Sequence, residues 1–168
     1  LAAPASPTQE KSQAEALAES MTLEEKVGQM FLACVSDSGA DPEDISNWRP
    51  GGYLFFADFF ESRSKKEAAD RIAAFQDAAK IPMLMAVDEE AGTVTRVSRF
   101  PAYRGQPFAS PMELYRSGGL TAGLEDTEEK SSLLLSLGVN VNLAPVCDMT
   151  EDKDSFIYAR TLGQDEET

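Results

Sequence analysis

Three consecutive carboxylates and an arginine form the most chemically distinctive stretch of the sequence. Asp88, Glu89 and Glu90 follow an unbroken apolar run that ends at Val87, and Arg96 lies eight residues beyond Asp88. Such a run is typical of a parallel strand covered on both faces. Because α/β folds bind ligands at the C-terminal ends of these strands, the cluster predicts a binding site there. The alternative from position alone is a solvated loop whose aspartate caps a helix.

The elements that position this cluster alternate between strands and helices. Apolar runs predict strands at residues 30–35, 53–57, 83–87 and 139–146, and amphipathic or capped stretches predict helices at 14–21, 23–28, 64–80 and 124–137. Strands that alternate with helices form parallel sheets with right-handed crossovers. The predicted class is therefore α/β. Four strands are the first half of a (β/α)₈ barrel of the TIM type, which needs about 200 residues or more.

Three stretches depart from this regular alternation. Residues 36–50 form a polar connection with room for one helical turn around Ile45 and Trp48. Residues 100–119 contain three prolines and are predicted to be irregular, and loops of that length are usually functional or mobile. In the fourth strand Asn140 and Asn142 share one face, which indicates that this face points into a barrel or a polar site.

The charge balance excludes several classes of partner. The chain has 29 acidic and 15 basic residues, a formal net charge of −14 and no histidine. Nucleic acids and anionic membranes bind basic surfaces, so neither is predicted as a partner. No run of about 18 apolar residues is present, so no membrane span is predicted. No cofactor is predicted either, because zinc sites need histidine or clustered cysteine and no glycine-rich phosphate loop follows the first strand.

The start of the chain and its two cysteines give further expectations. Residues 1–12, LAAPASPTQEKS, are predicted to be a flexible leader or linker. The missing initiator methionine suggests a processed chain, so a secreted or cell-envelope location is expected. Cys34 and Cys147 each lie at or near the end of a predicted strand. Buried thiols are expected for both, and a disulfide or a reactive thiol is the alternative.

Four stretches of the sequence, taken in order, carry a family resemblance. They are MTLEEKVGQM at 21–30, GGYLFFA at 51–57, AVDEEAGTVTR at 86–96, and LGVNVNLAPVCD at 137–148 followed by ARTLG at 159–163. Together they resemble the N-terminal barrel domain of glycoside hydrolase family 3, and most of all its β-N-acetylhexosaminidase branch, where the third stretch commonly reads VDQEGGxVxR. The resemblance implies that residues 13–168 are the N-terminal half of such a barrel.

The resemblance also implies roles for five residues. Asp88, Arg96 and Arg160 would bind the sugar in the subsite for its non-reducing end, because a carboxylate accepts hydrogen bonds from vicinal hydroxyls and an arginine fork donates to ring hydroxyls. Glu90 and Asp148 would be supporting residues that orient arginine side chains or loops. The alternative for Arg96 is a surface ion pair with Glu89 or Glu90. The alternative for Arg160 is that it is a solvated residue of the tail.

The chain departs from the family pattern at single positions and by what it lacks. Ala91 stands where the family usually has the first glycine of a pair, and alanine there costs about 1 kcal/mol if the backbone needs a positive φ. The family's KHFPGHG stretch, its Asp-Ser-His segment with the acid/base histidine, and its nucleophilic aspartate are all missing. Retaining hydrolysis needs a nucleophile and an acid/base group. No catalytic residue is therefore assigned, and this chain alone is predicted to be inactive.

The function predicted on this basis is that of a fragment of a retaining exo-glycoside hydrolase, a β-N-acetylhexosaminidase that releases terminal β-linked N-acetylglucosamine. Two alternatives stay open: a β-glucosidase fragment of the same family, and a non-catalytic sugar-binding or self-associating half-barrel. The predicted partners are a carbohydrate with a terminal N-acetylhexosamine, and either a second copy of the chain or the missing C-terminal portion of the barrel. A homodimer would bury sheet edges that otherwise promote aggregation.

Overall fold

The computed structural model describes residues 7–35 and 41–165, with side chains from residue 13 onwards. The strands are β1 Leu32–Val35, β2 Gly52–Phe55, β3 Leu84–Val87 and β4 Val141–Asn142. The helices are α1 Pro7–Ser20, α2 Leu23–Gly28, α3 Pro42–Trp48, α4 Ala57–Glu61, α5 Lys65–Ala78 and α6 Pro111–Ser136, and a short 3₁₀ helix covers Tyr158–Arg160. None of these helices is long and apolar enough to cross a membrane.

The four strands form one parallel sheet in the order β1-β2-β3-β4. Gly52 of β2 aligns with Leu32 of β1 and with Leu84 of β3, and Val87 at the end of β3 aligns with Asn142. Helices lie between successive strands along the chain. The predicted α/β class and the four parallel strands of a half-barrel are thus confirmed. Each strand is shorter than the run that predicts it. The flanking residues make only single backbone hydrogen bonds to a neighbouring strand, or they belong to a turn or a helix.

One face of the sheet is covered by helices and holds the hydrophobic core. Tyr53 and Phe55 of β2 pack against Phe75 of α5, with ring centroids 5.0 and 6.3 Å from that of Phe75. Their register partners in β3, Met85 and Val87, are also buried. Full burial of such a side chain stabilises a fold by about 1.5–3 kcal/mol. This packing fixes β3, the strand that leads into the carboxylate cluster.

The opposite face of the sheet is less covered. Leu32 and Leu84, which flank Gly52 in the register, are 37% and 54% exposed, and Leu143 directly after β4 is 47% exposed. Strands β1 and β4 each have a neighbour on one side only. The described residues therefore form a sheet with one buried and one partly open apolar face.

Capping boxes begin four of the helices. In α2, Thr22 accepts a hydrogen bond from the backbone N–H of Glu25, whose side chain accepts one from the N–H of Thr22, as predicted from the sequence. Ser64 and Glu67 do the same at the start of α5, and equivalent boxes begin α3 and α6. The helical turn predicted around Ile45 is α3, which is confirmed.

Three helices depart from the sequence-based prediction. Helix α6 begins at Pro111, well before residue 124, so the second half of the segment predicted to be irregular is helical. Its regular geometry is interrupted at Gly118 and Gly119, the latter with a φ of 63°. Helix α4 begins at Ala57, where the sequence predicts the end of a strand. Helix α1 begins at Pro7, within the predicted leader 1–12; residues 1–6 lie outside the described residues, and the boundary at residue 12 stays a prediction.

Both cysteines are free and exposed, so the expectation of buried thiols is wrong. Cys34 aligns with Leu54 on the partly open face of the sheet and is exposed there. Cys147 follows β4, and its thiol lies 3.7 Å from the carbonyl oxygen of Pro145. The apolar neighbours of each cysteine in the sequence do not determine burial, because burial depends on whether that face of the sheet is covered.

Candidate functional site

Strand β3 delivers the carboxylates to the C-terminal edge of the sheet. Its last three residues, Met85 to Val87, are at most 1% exposed, and Asp88 is the first residue beyond the strand. The following segment returns to the same edge, because Ala91 and Val94 exchange backbone hydrogen bonds of 3.0 and 3.2 Å in a tight turn. Arg96 consequently lies close to Asp88.

Asp88 and Arg96 form a bidentate ion pair. Nε of Arg96 donates to Oδ1 of Asp88 at 2.7 Å, and Nη2 donates to Oδ2 at 2.5 Å. The two side chains are 20% and 23% exposed, so the pair is accessible from solvent. The guanidinium carbon also lies 5.3 Å from the centre of the Phe56 ring. Arg96 thus pairs with the aspartate at the end of the strand, and the alternative pairing with a neighbouring glutamate does not occur.

A second bidentate pair joins Glu90 to Arg160, which lies seventy residues later in the chain. Nε of Arg160 donates to Oε2 of Glu90 at 2.7 Å, and Nη2 donates to Oε1 at 2.6 Å. The glutamate side chain is 7% exposed and the arginine side chain 26%. Arg160 ends the 3₁₀ helix, so it is anchored and is not a solvated tail residue. Whether either pair binds sugar stays a prediction.

The two pairs are electrostatic neighbours. The hydrogen bond to Asp88 raises the pKa of Arg96 above its ordinary value, and the charge of Glu90 adds to this effect. The hydrogen bond to Glu90 likewise raises the pKa of Arg160, with further contributions from the charges of Asp148 and Asp88. Asp148 is exposed and acts on Arg160 through its charge. Both pairs therefore favour the protonated form of the guanidinium groups.

The pairing leaves donor and acceptor capacity for a ligand. Within the described part of the chain, Nη1 of Arg96 and Nη1 of Arg160 have no hydrogen-bond partner. Each carboxylate oxygen also keeps a second lone-pair direction. A donor beside an acceptor matches two adjacent hydroxyl groups of a neutral sugar. Because a carboxylate already balances each guanidinium charge, the arrangement gives no advantage to an anionic ligand.

The backbone of the turn has an unusual conformation at two successive residues. Ala91 has a φ of 87° and Gly92 a φ of 59°. The position where the family usually has a glycine therefore does need a positive φ, and alanine occupies it under strain. Gly92 cannot be replaced by a larger residue without a clash, since a Cβ there would lie 2.7 Å from Cβ of Ser110.

The complete burial of one of the three carboxylates, that of Glu89, was not predicted from the sequence. Glu89 is 0% exposed. Its Oε2 accepts hydrogen bonds of 2.7 Å from the backbone N–H groups of both Arg96 and Val97, and its Oε1 accepts one from the hydroxyl of Ser98. Asp88 thus binds the side chain of Arg96, Glu89 binds the backbone at Arg96 and Val97, and Glu90 binds Arg160. Nothing in their types or order distinguishes the middle one.

The asparagines of the fourth strand bind the backbone of β3. The side chain of Asn142 accepts from the N–H of Glu89 at 3.0 Å and donates to its carbonyl oxygen at 3.1 Å. Asn140 makes the equivalent contacts with Met85 N at 2.8 Å and Met83 O at 3.2 Å. The two amides thus extend the hydrogen bonding between adjacent strands, and Asn142 also lines a polar cavity next to the site.

A cavity of about 150 Å³ adjoins the site between α6 and the segment after β4. Glu90, Asn142, Asp126 and Lys130 contribute to its lining. Nζ of Lys130 lies 3.0 Å from Oδ2 of Asp126, and the two side chains are 11% and 9% exposed. This ion pair was not predicted, because a lysine and an aspartate four residues apart on a helix usually lie on its exposed face.

The chain resembles a known family of glycoside hydrolases. Residues 22–168 match the family model described as the glycosyl hydrolase family 3 N terminal domain. The β-hexosaminidase LpqI of Mycobacterium tuberculosis is 26% identical over 145 residues, which are 86% of this chain and 36% of that protein. The chain therefore spans about a third of the length of this curated relative.

Two solved structures illustrate the likeness of the fold. A family 3 β-N-acetylglucosaminidase from Paenibacillus is 28% identical with a TM-score of 0.65, and the match covers 75% of this chain and 24% of the other. A family 3 glycosyl hydrolase from Mycobacterium smegmatis is 23% identical with a TM-score of 0.72, and the match covers 85% of this chain and 42% of the other.

Proposed function

The chain belongs to glycosyl hydrolase family 3 as an N-terminal domain of that family, and from this premise we propose that it supplies the sugar-binding half of a β-N-acetylhexosaminidase active site. Asp88, Arg96 and Arg160 bind the terminal N-acetylglucosamine, and Glu90 and Asp148 support the arginines. The hydrolase is a retaining exo-enzyme, whose nucleophile and acid/base group come from outside this chain.

The observation that carries the proposal is the accessible Asp88–Arg96 pair at the C-terminal end of β3. Asp88 accepts hydrogen bonds from two adjacent ring hydroxyls, and Nη1 of Arg96 donates to one of them. Charge-assisted hydrogen bonds of this kind are about twice as strong as neutral ones. They hold the ring in one orientation, so that a nucleophile approaches the anomeric carbon along a fixed line. The name of the Paenibacillus relative, a β-N-acetylglucosaminidase, supports an N-acetylated sugar, and that of the M. tuberculosis relative, a β-hexosaminidase, supports a hexosamine.

Titration with N-acetylglucosamine and with glucose, followed by chemical shifts in ¹⁵N-labelled protein, tests the site. We expect N-acetylglucosamine to shift the signals of residues 88–98, and Asp88→Asn to weaken its affinity by about tenfold, the effect of losing one hydrogen bond to a charged group. The matched control is Glu129→Gln, because Glu129 forms a bidentate pair with Arg104 outside the cluster. Equal affinities for both sugars would favour a β-glucosidase, and equal losses in the two variants would refute the site.

A chromogenic N-acetyl-β-glucosaminide tests the incompleteness of the chain. The 168-residue chain has no histidine, and Asp88, Glu89 and Glu90 are all engaged in hydrogen bonds. We therefore expect no turnover above the rate in buffer. A polypeptide that continues beyond residue 168 and includes the missing segments is expected to hydrolyse the N-acetylglucosaminide faster than the matching glucoside. Turnover by the 168-residue chain would contradict the prediction.

A second candidate function is self-association of two half-barrels without catalysis. It is favoured by the exposure of Leu32, Leu84 and Leu143 on one side of the sheet and by the single neighbours of β1 and β4. Sedimentation should then show a dimer that Leu84→Lys converts to a monomer. The control is Leu135→Lys, which changes a leucine on α6 that is at least as exposed as Leu84. A folded wild-type monomer at high concentration would exclude this candidate.

A further inference from the structure

We infer that Glu89 is a positioning residue: its buried carboxylate fixes the backbone at Arg96, and this in turn lets the guanidinium group of Arg96 meet Asp88. The inference deepens the proposed function and rests on it only for the effect on sugar affinity. Glu89 itself has no exposed surface, so it acts through Arg96.

Two adjacent carboxylates hold the same arginine by different groups. Asp88 binds the guanidinium group of Arg96, and Glu89 accepts a 2.7 Å hydrogen bond from its backbone N–H. The same oxygen of Glu89 accepts the N–H of Val97. Because Asp88 and Glu89 are neighbours at the end of β3, the Cα of Arg96 is held at a fixed distance from the strand that carries its partner.

This anchoring explains how an accessible pair keeps one geometry. An exposed carboxylate–arginine pair normally contributes little to stability, since ordering a long side chain offsets most of the attraction. The Asp88–Arg96 pair is about one-fifth exposed on each side. With the backbone of Arg96 already ordered by Glu89, the pair has to order only the side chain. A free loop between residues 89 and 96 would leave the guanidinium group in several positions.

The donors around the buried group suit a carboxylate in this chain, whereas the family pattern VDQEGGxVxR has glutamine at this position. A buried charge is costly unless it is hydrogen-bonded, and Glu89 has donors on both oxygens: two backbone N–H groups on one, and the hydroxyl of Ser98 with the more distant N–H of the same residue on the other. The hydroxyl of Ser98 in turn accepts the N–H of Phe108 at 3.3 Å. A glutamine at this position keeps one acceptor oxygen but places an NH₂ group against the remaining donors.

The backbone of Glu89 is itself held by β4, so that Glu89 fixes the backbone of Arg96 relative to that strand. The amide of Asn142 binds both the N–H and the carbonyl oxygen of Glu89. A continuous chain of hydrogen bonds therefore runs from β4 through Glu89 to the backbone of Arg96. Its end point is the pair that the proposed function assigns to sugar binding.

The exchange of the Arg96 Nε–H proton with water, measured in ¹⁵N spectra, tests the inference directly. We expect Glu89→Gln to accelerate this exchange about tenfold, as for loss of one hydrogen bond to a charged group. Ser98→Ala removes the hydroxyl donor only and should give a smaller acceleration. Glu67→Ala is the control, because Glu67 also accepts a backbone N–H, at 2.8 Å, but at the start of α5. The Nε–H of Arg104, paired with Glu129, should be unchanged in all three variants.

The outcomes separate the inference from the proposed function. If Glu89→Gln folds and its Arg96 Nε–H exchange is unchanged, the positioning role is overturned, whatever the affinity for the sugar. If Glu89→Gln does not fold, unchanged exchange in Ser98→Ala overturns the role. If exchange is accelerated in the variant but the wild-type protein does not bind N-acetylglucosamine, the positioning role is supported and the sugar site is refuted. Accelerated exchange together with an affinity about tenfold weaker, and with wild-type affinity in Glu67→Ala, supports both.

Discussion

The two carboxylate–arginine pairs of the site are built in opposite ways. Asp88 and Arg96 lie eight residues apart in one turn, whose backbone is fixed by Glu89. Glu90 and Arg160 lie seventy residues apart and join the turn after β3 to the 3₁₀ helix. Both side chains of the first pair are partly exposed, whereas the second has a nearly buried acid.

The difference separates two roles of an ion pair. The backbone beneath the local pair already sets its geometry, so the pair adds little to the stability of the fold and its side chains stay accessible. The distant pair connects two segments of the chain, and its glutamate has little contact with water. Removal of one partner from a buried pair leaves an uncompensated charge, which is much more destabilising than the loss of a surface pair.

The largest expected effect is the loss of stability in Glu90→Gln. We predict a decrease of about 2–3 kcal/mol in the free energy of unfolding, against about 1 kcal/mol or less for Asp88→Asn. Urea denaturation measures both, and Glu129→Gln provides the baseline for an exposed bidentate pair. Equal losses at residues 88 and 90 would remove the distinction between the two pairs.

The amides of β4 separate stability from binding. Asn142→Ala and Asn140→Ala each remove two hydrogen bonds to the backbone of β3, so each should lower the free energy of unfolding by about 2 kcal/mol. Only Asn142 contacts Glu89. We therefore expect Asn142→Ala alone to weaken the affinity for N-acetylglucosamine, as measured by titration at a temperature where both variants are folded. Equal affinities in the two variants would show that the contact between Asn142 and Glu89 does not help to position Arg96.

A smaller effect is expected from relief of strain in the turn. Ala91 has a positive φ, which costs an alanine about 1–2 kcal/mol, while the loss of its buried methyl group costs about 0.8 kcal/mol. Ala91→Gly should therefore raise the free energy of unfolding by about 0.5 kcal/mol. Ala73→Gly, at an exposed position within α5, should lower it by about 1 kcal/mol. A loss of stability in Ala91→Gly would mean that the turn is not strained.

The smallest effect near neutral pH concerns carboxylates outside both pairs. The hydrogen bond from Lys80 lowers the pKa of Glu25 below 4.5, and the hydrogen bonds from Ser64 lower that of Glu67. A lowered pKa in the folded state stabilises the fold above the ordinary pKa, and this contribution is lost as pH falls through the lowered value. Urea midpoints should thus stay constant from pH 8 to about 6 and decline below about 4.5. Lys80→Met should make that decline shallower; an unchanged decline would assign it to other groups.

Local patterns of sequence predicted the scaffold well. The apolar run before Asp88 and the capping box at Thr22 both depend on residues close together in the chain, and both are present as predicted. The early start of α6 also had a local signal, since Ser110 and Glu113 form a capping box and proline suits the first helical position. The three prolines of that segment were interpreted as marks of a loop instead.

The remaining features depend on groups that are distant in sequence or on backbone conformation. That Arg96 returns to Asp88 follows from the positive φ at Ala91, a conformation that alanine rarely adopts. The choice of Glu90 as the partner of Arg160 depends on how α6 and β4 place a segment seventy residues away. The exposure of Cys34 depends on what covers the sheet, a property that the strand's own residues do not contain.

The separation of Glu90 and Arg160 in the chain has a consequence for the order of folding. Closing a loop of that length has an entropic cost that rises with the logarithm of its length, and the ends meet only after β3, α6 and β4 are in place. The pair therefore forms after the core of β2 and β3, and its loss should accelerate unfolding while leaving the folding rate unchanged. We therefore expect the step that joins Arg160 to Glu90 also to be the step that completes the site.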